Sequence, residues 1–137
     1  MIDRIILLTG GFDPIHSGHI SLINDAKRLD GHLVIGVNSD EWLKRKKNYF
    51  FMPLNERIEV LQNINGVYKV ISFNDDDDTA INAITKCLDM AREVIFANGG
   101  DRNKDNVPEL DFFKNEIRVE HIFGVGGINK LNSSSVI

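Results

Sequence analysis

The sequence predicts an α/β domain built on a doubly wound, five-stranded parallel sheet. Short apolar runs such as Ile5–Leu8 and Val94–Ala97 are typical of strands that are buried on both faces of a sheet. Amphipathic segments of helical length separate these runs, and this alternation favours parallel strands joined by right-handed crossovers. Glycine pairs follow three predicted strands, at Gly10–Gly11, Gly99–Gly100 and Gly126–Gly127. Ligands of such sheets bind beyond the carboxyl ends of the strands, so the pairs indicate a binding edge rather than ordinary turns.

The first half of the chain is predicted to hold three strands and two helices. The strand Ile5–Leu8 is followed by a helix at Ser17–Leu29, whose apolar residues recur on one face. Leu33–Val37 is the second apolar run and the second strand. Pro53 opens a helix that extends to Ile64, because proline is tolerated in the first helical turn. Val67–Phe73 is the third strand.

The second half is predicted to complete the sheet with two more strands. A helix at Thr79–Ala91 follows the acidic segment Asn74–Asp78, which suits the positive end of a helix dipole. Val94–Ala97 is the fourth strand, and a short helix lies near Glu109–Lys114. Apolar and polar residues alternate from Ile117 to Phe123, which is typical of a half-exposed edge strand.

Length and composition predict one domain, residues 1–137, with a single well-buried core. The net charge of −4 argues against a broad nucleic-acid surface. No apolar run approaches the length of a membrane span, and Ile5–Leu8 is too short for a signal peptide. The one cysteine, Cys87, excludes an internal disulfide and is expected to be a small core residue. We therefore expect a cytoplasmic protein without nucleic-acid or membrane partners.

The segment Thr9–His19, TGGFDPIHSGH, joins the first strand to the first helix and carries two histidines. A helix start offers unpaired backbone N–H groups and the positive end of the dipole, which attract anions. His16 and His19, three residues apart, can both face that position and donate hydrogen bonds to developing negative charge. A metal site would need a third ligand, and His32 and His121 lie in strands whose patterns explain them. The segment therefore predicts a phosphate site with a catalytic role and no metal ligand.

This segment also resembles a known family. GGFDPIHSGH is similar to the (G)xFDxxHxGH signature of the cytidylyltransferase-like nucleotidyltransferases, among them glycerol-3-phosphate cytidylyltransferases and the nucleotidyltransferase domain of ADP-heptose synthases. The resemblance implies a Rossmann-like sheet of order 3-2-1-4-5. It also implies transfer of a cytidylyl or adenylyl group from CTP or ATP to a sugar or polyol phosphate, with release of pyrophosphate. CTP is favoured over ATP, Mg²⁺ accompanies the triphosphate, and a homodimer is expected. The alternative is a nucleotide-binding sensor or scaffold of the same fold without turnover.

The resemblance assigns roles to individual residues. The implied roles are catalysis by His16, His19, Lys44 and Lys46; nucleotide binding by Gly10, Gly11, Phe12, Asp13, Gly18, Gly99, Asp101, Ser133, Ser134 and Ser135; and acceptor binding by Arg57 and Arg102.

Several of these assignments have a structural alternative. Arg102 either binds the acceptor phosphate or is a loop arginine in solvent. The basic run Lys44–Lys47 is predicted to be a loop that closes as a mobile lid over the triphosphate, or else a solvated face. Asp13 either contributes to the site or is a turn residue that accepts backbone N–H bonds. Arg57 either binds substrate or braces the loop through a carboxylate. The sequence does not separate these two roles of Arg57.

The chain departs from the family pattern at several positions. Gly11 replaces a small hydroxyl residue of the glycerol-phosphate enzymes, and Asn98 stands where the heptose enzymes carry a lysine. The segment Asn132–Ile137, NSSSVI, resembles the family's C-terminal serine element, whereas alone it would be interpreted as a frayed tail. Some relatives carry an arginine after this element, none follows Ile137 in this sequence, and Lys130 is a candidate to replace that contact. These departures leave the base and the acceptor open.

Overall fold

The computed structural model describes residues 1–99 and 106–126. Its five strands form one parallel sheet of order β3-β2-β1-β4-β5, which confirms the predicted fold class. The elements in chain order are β1 Ile2–Gly10, α1 Ser17–Ala26, β2 His32–Val37, α2 Asp40–Lys47, α3 Leu54–Gln62, β3 Lys69–Ser72, α4 Ile81–Leu88, β4 Ala91–Gly99, α5 Pro108–Phe112 and β5 Val119–Val125. In these ranges no helix combines the length and the apolar character that a membrane span requires.

The first strand lies at the centre of the sheet and pairs with β2 on one side and β4 on the other. Leu7 is opposite Val34 of β2 and Phe96 of β4. The chain builds outward from β1 to β2 and β3, then returns to place β4 on the other side of β1. The strand order therefore reverses between β1 and β4, where doubly wound folds form a crevice at the carboxyl ends of the strands.

Two apolar clusters cover the two faces of the sheet. Ile5 and Leu7 contribute to the cluster under α4 and α5, while Ile6 and Leu8 contribute to the cluster under α1 and α3. Consecutive strand residues point to opposite faces, so the apolar run of β1 supplies both clusters. Cys87 is buried in the first cluster, as predicted, and burial raises the pKa of its thiol to about 12.

The basic run is helical, so the prediction of a loop at Lys44–Lys47 was wrong. Ser39 begins α2 by accepting a hydrogen bond from the Trp42 N–H at 3.0 Å. Acidic residues occupy the first turn and basic residues the last, which matches the helix dipole. Only Leu43 of its eight residues is buried, so the sequence carries almost no apolar periodicity to reveal this helix.

Several boundaries also differ from prediction. The fourth helix was predicted to reach Ala91, but Ala91 is buried as the first residue of β4 and pairs with Ile2 of β1. The fifth strand extends to Val125, two residues beyond the predicted Phe123. It forms one edge of the sheet, as expected.

Candidate functional site

The turn from β1 to α1 depends on residues without side chains. A Cβ atom on Gly10 would lie 3.2 Å from the Phe12 ring, and one on Gly11 would lie 2.8 Å from Leu43 Cδ2. Because Gly10 has no side chain, the buried Phe12 ring can lie over the end of β1. Because Gly11 has none, α2 can pack against the turn. Phe12 itself has φ +53°, a left-handed conformation that is uncommon for a bulky residue.

Two histidines cap the first helix. His16 is the N-cap residue, and its Nδ1 accepts a hydrogen bond from the Gly18 N–H at 3.0 Å. His19 Nδ1 accepts from the His16 N–H at 3.1 Å, so the two side chains form a reciprocal capping box. Serine, threonine and glutamate usually fill these positions. Because each Nδ1 is an acceptor, each neutral ring carries its proton on Nε2.

The two imidazoles form a compact pair of donors. Their ring centroids are 3.8 Å apart with an interplanar angle of 25°, and the Phe12 ring centroid lies 4.8 Å from that of His19. Burial lowers the pKa of His19 to about 4, and the charge of His16 acts in the same direction. His19 is therefore neutral at pH 7. The geometry presents two fixed Nε2–H donors at a helix start, as a site for a phosphate chain requires.

A cavity of about 220 Å³ lies beside this pair, between the carboxyl ends of β1 and β4. Its walls are Thr9, Gly10, Phe12, His19, Leu22, Ala97, Asn98 and Gly99. It occupies the crevice where the strand order reverses, and it brings together the predicted residues Gly10, Phe12, His19 and Gly99. A second depression, of about 560 Å³, lies at the amino ends of the strands and is lined mainly by charged residues. Among these, Arg4 pairs with Glu93 and Arg92 pairs with Asp3.

Asn98 is a residue of this cavity to which the sequence assigned no role. Its side-chain nitrogen donates to the carbonyls of Phe96 at 3.2 Å and Ile122 at 3.1 Å. Its Oδ1 is buried and has no hydrogen-bond partner among the described residues. The available signal was its position, immediately before the glycine pair at the end of β4.

Arg57 is almost completely buried and donates four hydrogen bonds to the protein. Its Nε donates to Met52 O at 2.9 Å, and its Nη1 donates to Gly11 O at 2.8 Å and Asn38 O at 2.7 Å. Its Nη2 pairs with the Asp40 carboxylate at 2.6 Å. Arg57 thus joins the glycine turn, the end of β2 and the start of α2. This is the bracing role, and acceptor binding by Arg57 stays a prediction.

Asp13 also makes its contacts within the protein. Its carboxylate accepts the backbone N–H groups of Phe51 and Met52, both at 2.7 Å, and Lys47 Nζ donates to its backbone carbonyl at 2.6 Å. Burial alone would raise the pKa of Asp13, but these N–H bonds and the Lys47 charge outweigh it and lower the pKa below its usual value. Nucleotide binding by Asp13 stays a prediction. The sequence did not predict the contact from Lys47.

Lys44 and Lys46 lie exposed on α2, next to aromatic rings. Lys44 Nζ is 5.4 Å from the centroid of the Phe50 ring, and Lys46 Nζ is 5.6 Å from that of Trp42. Trp42 reaches the glycine turn, since its Cζ3 would be 3.5 Å from a Cβ on Gly11. Neither lysine forms an ion pair within residues 1–99 and 106–126. Their charges therefore have no counterion among the described residues, and their catalytic role stays a prediction.

Other predicted site residues lie outside the described ranges. They are Gly100, Asp101, Arg102, Lys130, Ser133, Ser134 and Ser135. Within the described part of the chain, no group of three or more His, Cys, Asp or Glu side chains is placed to hold a metal ion.

The chain matches a known protein family over most of its length. The family model described as Cytidylyltransferase-like matches residues 7–120. The chain is 35% identical over 108 residues to the Bifunctional protein HldE of Blochmanniella floridana, which covers 77% of this chain and 21% of the relative. It is 32% identical over 114 residues to the protein of the same name from Alcanivorax borkumensis, covering 82% of this chain and 23% of the relative. The chain thus spans about a fifth of the length of these curated relatives.

A solved structure shares the fold. The crystal structure of the lipopolysaccharide core biosynthesis protein from Thermoplasma volcanium superimposes with a TM-score of 0.68. The match covers 90% of this chain and 96% of that one, at 23% sequence identity. At this identity the likeness shows the fold alone.

Proposed function

Because the chain belongs to the cytidylyltransferase-like family, we propose that it is a nucleotidyltransferase that transfers a cytidylyl or adenylyl group from CTP or ATP to a sugar or polyol phosphate. The observation that carries the proposal is the histidine capping box, which aims two fixed N–H donors at the place where a helix start attracts phosphate. The resemblance to glycerol-phosphate cytidylyltransferases supports CTP, and that to ADP-heptose synthases supports ATP, so both nucleotides belong in the test.

The proposed reaction is a displacement at the α-phosphorus. An oxygen of the acceptor phosphate forms a bond to the α-phosphorus, and the bond from that phosphorus to the bridging oxygen of the β-phosphate breaks. Pyrophosphate leaves with the electron pair. Negative charge then grows on the α-phosphate oxygens and on the leaving group, where His16 and His19 would donate from Nε2. Their Nδ1 atoms are bound to the backbone, so the rings need no reorganisation and transfer no proton during the step.

Residues around the turn would hold the triphosphate and the turn itself. Lys44 and Lys46 extend from a helix that packs on Gly11, and their exposed positive charges suit the β- and γ-phosphates. Arg57 and Asp13 would keep the turn in place from below. Mg²⁺ would enter as part of the metal–nucleotide substrate and be held mainly by phosphate oxygens, which suits a cation that retains several waters.

We also propose that the protein acts in the cytoplasm as a homodimer, with small-molecule substrates and without nucleic acid. The single cysteine, which is buried and unpaired, supports the cytoplasm. The net charge of −4 supports the absence of nucleic acid. Light scattering coupled to size exclusion tests the dimer.

The test of the reaction is pyrophosphate release from CTP and from ATP, each with a panel of sugar and polyol phosphates. One nucleotide–acceptor pair is expected to release pyrophosphate at a rate above that of either compound alone. With that pair, His16→Ala and His19→Ala should each lower kcat about 10²- to 10³-fold, the usual cost of one preorganised donor. Nucleotide affinity should largely survive.

His32→Ala is the matched control. His32 lies at the amino end of β2, away from the carboxyl ends where the site lies, and its ring packs against Tyr68. Its turnover should equal that of the unmodified chain. Undiminished turnover in both site variants would remove the histidines from the mechanism. Nucleotide binding without pyrophosphate release from any pair would favour the sensor or scaffold instead.

A further inference from the structure

Asn98 has one polar atom that the described part of the protein leaves unpaired. The residue is 2% exposed, and Oδ1 is buried without a hydrogen bond. The amide cannot be turned over to change this, because its nitrogen donates to two carbonyls, those of Phe96 and Ile122. Carbonyl oxygens only accept, so the nitrogen must face them and Oδ1 must face away. Buried polar side-chain atoms nearly always have a partner, and an exception calls for an explanation.

We propose that Asn98 Oδ1 accepts a hydrogen bond from the nucleoside part of the bound nucleotide, an inference that rests on the proposed function. The oxygens of a nucleoside triphosphate chain accept hydrogen bonds at neutral pH and offer no donor to an amide oxygen. The O–H and N–H donors of the ligand are the ribose hydroxyls and the amino group of adenine or cytosine. Within the nucleotide, the chemistry of Oδ1 therefore selects the nucleoside and rejects the phosphates.

The walls of the cavity fit the same part of the ligand. Phe12, Leu22 and Ala97 are apolar, and Gly10 and Gly99 add no side chains. A Cβ on Gly99 would lie 2.8 Å from Leu22 Cδ1, so glycine keeps this side of the cavity open. Thr9, His19 and Asn98 supply the polar part of the lining, which is about as large as the apolar part. A space of about 220 Å³ with this mixed lining suits a base or a ribose, each of which has both apolar and polar surface.

Asn98 and the histidine pair together give the nucleotide a direction. The donors of His16 and His19 lie at the start of α1, and the acceptor of Asn98 lies at the end of β4. The phosphates then lie over the helix start, while the nucleoside extends across the crevice towards β4.

The first experiment measures affinities of the whole chain by isothermal titration calorimetry. The probes are ATP, CTP and inorganic tripolyphosphate, and the variant is Asn98→Leu, which has a similar shape but no amide. Loss of one buried hydrogen bond should weaken nucleotide binding about tenfold while tripolyphosphate affinity stays within about twofold. His121→Phe is the matched control. His121 also has unpaired buried ring nitrogens and lies on the neighbouring strand, but it does not line the cavity.

The second experiment changes the ligand and leaves the protein intact, so it does not depend on the folding of a variant. The 2′-deoxy and 3′-deoxy forms of the preferred nucleotide each lack one ribose hydroxyl, and the base-deaminated form replaces the amino donor by a carbonyl acceptor. One of them should bind the unmodified chain about tenfold more weakly, which identifies the group that Asn98 contacts. Asn98→Leu should bind that analogue and its parent equally.

The outcomes separate the inference from the proposed function. Two results overturn the inference and leave nucleotidyl transfer standing. One is equal nucleotide affinity of Asn98→Leu and the unmodified chain, and the other is that the unmodified chain binds all three analogues as tightly as the parent nucleotide. A matching loss of tripolyphosphate affinity in Asn98→Leu also overturns it, since the role would then be to join β4 to β5. If the unmodified chain binds no nucleotide, the inference falls together with the proposed function.

Discussion

The carboxyl end of β1 has two sides that differ in how completely their polar groups are paired. On the side of β2, Arg57 and Asp13 are buried and their hydrogen bonds end on protein atoms. On the side of β4, the Nε2 atoms of His16 and His19 take no part in the helix cap, and Asn98 Oδ1 has no partner in the described part of the chain. Buried polar groups that are satisfied within the protein support the site. Those with remaining capacity are the candidates for ligand contact.

The paired side extends beyond Arg57. The carboxylate of Asp75, after β3, accepts from Asn38 Nδ2 at 3.0 Å and from the N–H and hydroxyl of Ser39 at 2.8 and 2.7 Å. Burial alone would raise the pKa of Asp75, but these bonds lower it below its usual value. The ends of β2 and β3 are thus linked without any ligand. Substitutions on this side should lower stability first, whereas substitutions towards β4 should alter ligand binding first.

The largest stability effect is expected for Arg57→Met. The variant removes a buried cation and leaves Asp40 and three carbonyls without their donor. The expected loss in the free energy of unfolding is about 3–5 kcal/mol, measured by urea denaturation. Arg92→Met, at an exposed ion pair with Asp3, should change it by less than about 0.5 kcal/mol. Equal, small losses in both variants would show that Arg57 is not a brace.

A smaller loss is expected for Asp13→Asn. One backbone N–H can still donate to the amide oxygen, but the other would face the amide nitrogen. Leaving one buried donor unpaired costs about 1–3 kcal/mol. Urea denaturation measures the change, with the fully exposed Asp30→Asn as control. A normal stability combined with weakened nucleotide binding would instead assign Asp13 to the ligand.

The capping box makes stability depend on pH. The pKa of His19 is about 4 in the folded protein and about 6.5 for an ordinary imidazole. Between these values the unfolded chain binds a proton that the folded chain does not, so the free energy of unfolding should fall as the pH decreases from 6.5 towards 4. His19→Gln can keep the same cap without titrating, so its decrease over this range should be smaller. Burial also lowers the pKa of His121, but that contribution is common to both proteins. Identical pH profiles would contradict the assignment.

The smallest change in stability is expected for Lys44→Met and Lys46→Met. Both side chains are exposed and lack an ion pair in the described ranges, so the free energy of unfolding should stay within about 0.5 kcal/mol. Their apparent affinity for tripolyphosphate should decrease. Lys47→Met provides the contrast, because Lys47 bonds the carbonyl of Asp13 and its loss should lower the melting temperature. A destabilised Lys44→Met would place Lys44 among the supporting residues.

The sequence was sufficient for the features that depend on local pattern. Apolar runs and, for β5, an alternation of apolar and polar residues predicted the five strands. The spacing of His16, Gly18 and His19 predicted two histidines facing the start of α1, where both cap the helix, and their role at a phosphate stays a prediction. Both signals lie within about ten residues, where periodicity and backbone chemistry act directly. The parallel direction of the strands follows from the crossover rules, whereas the order 3-2-1-4-5 was implied by the resemblance to the family.

The features that the sequence missed depend on distant partners. Asp13 meets backbone groups 38 and 39 residues away, and Gly126 N donates at 2.8 Å to the Asp25 carboxylate, 101 residues earlier. No local pattern records such pairs. The helix α2 was missed for a different reason, because six of its eight residues are charged and mask the helical period. The sequence shows Asn98 only as a polar residue at a strand end. Its unpaired oxygen is known only once its neighbours in the structure, such as Ile122, are known.

The lack of a side chain at Gly11 lets Leu43 of α2 pack against the turn that carries the imidazoles. A methyl group there would lie 2.8 Å from Leu43 Cδ2, so the Leu43 side chain would have to move, and a larger group would press on a helix that carries four basic residues. The number of charges would not change, only their position relative to the turn. Position 11 is therefore a place where an engineer could shift the basic helix while leaving every ionisable group intact.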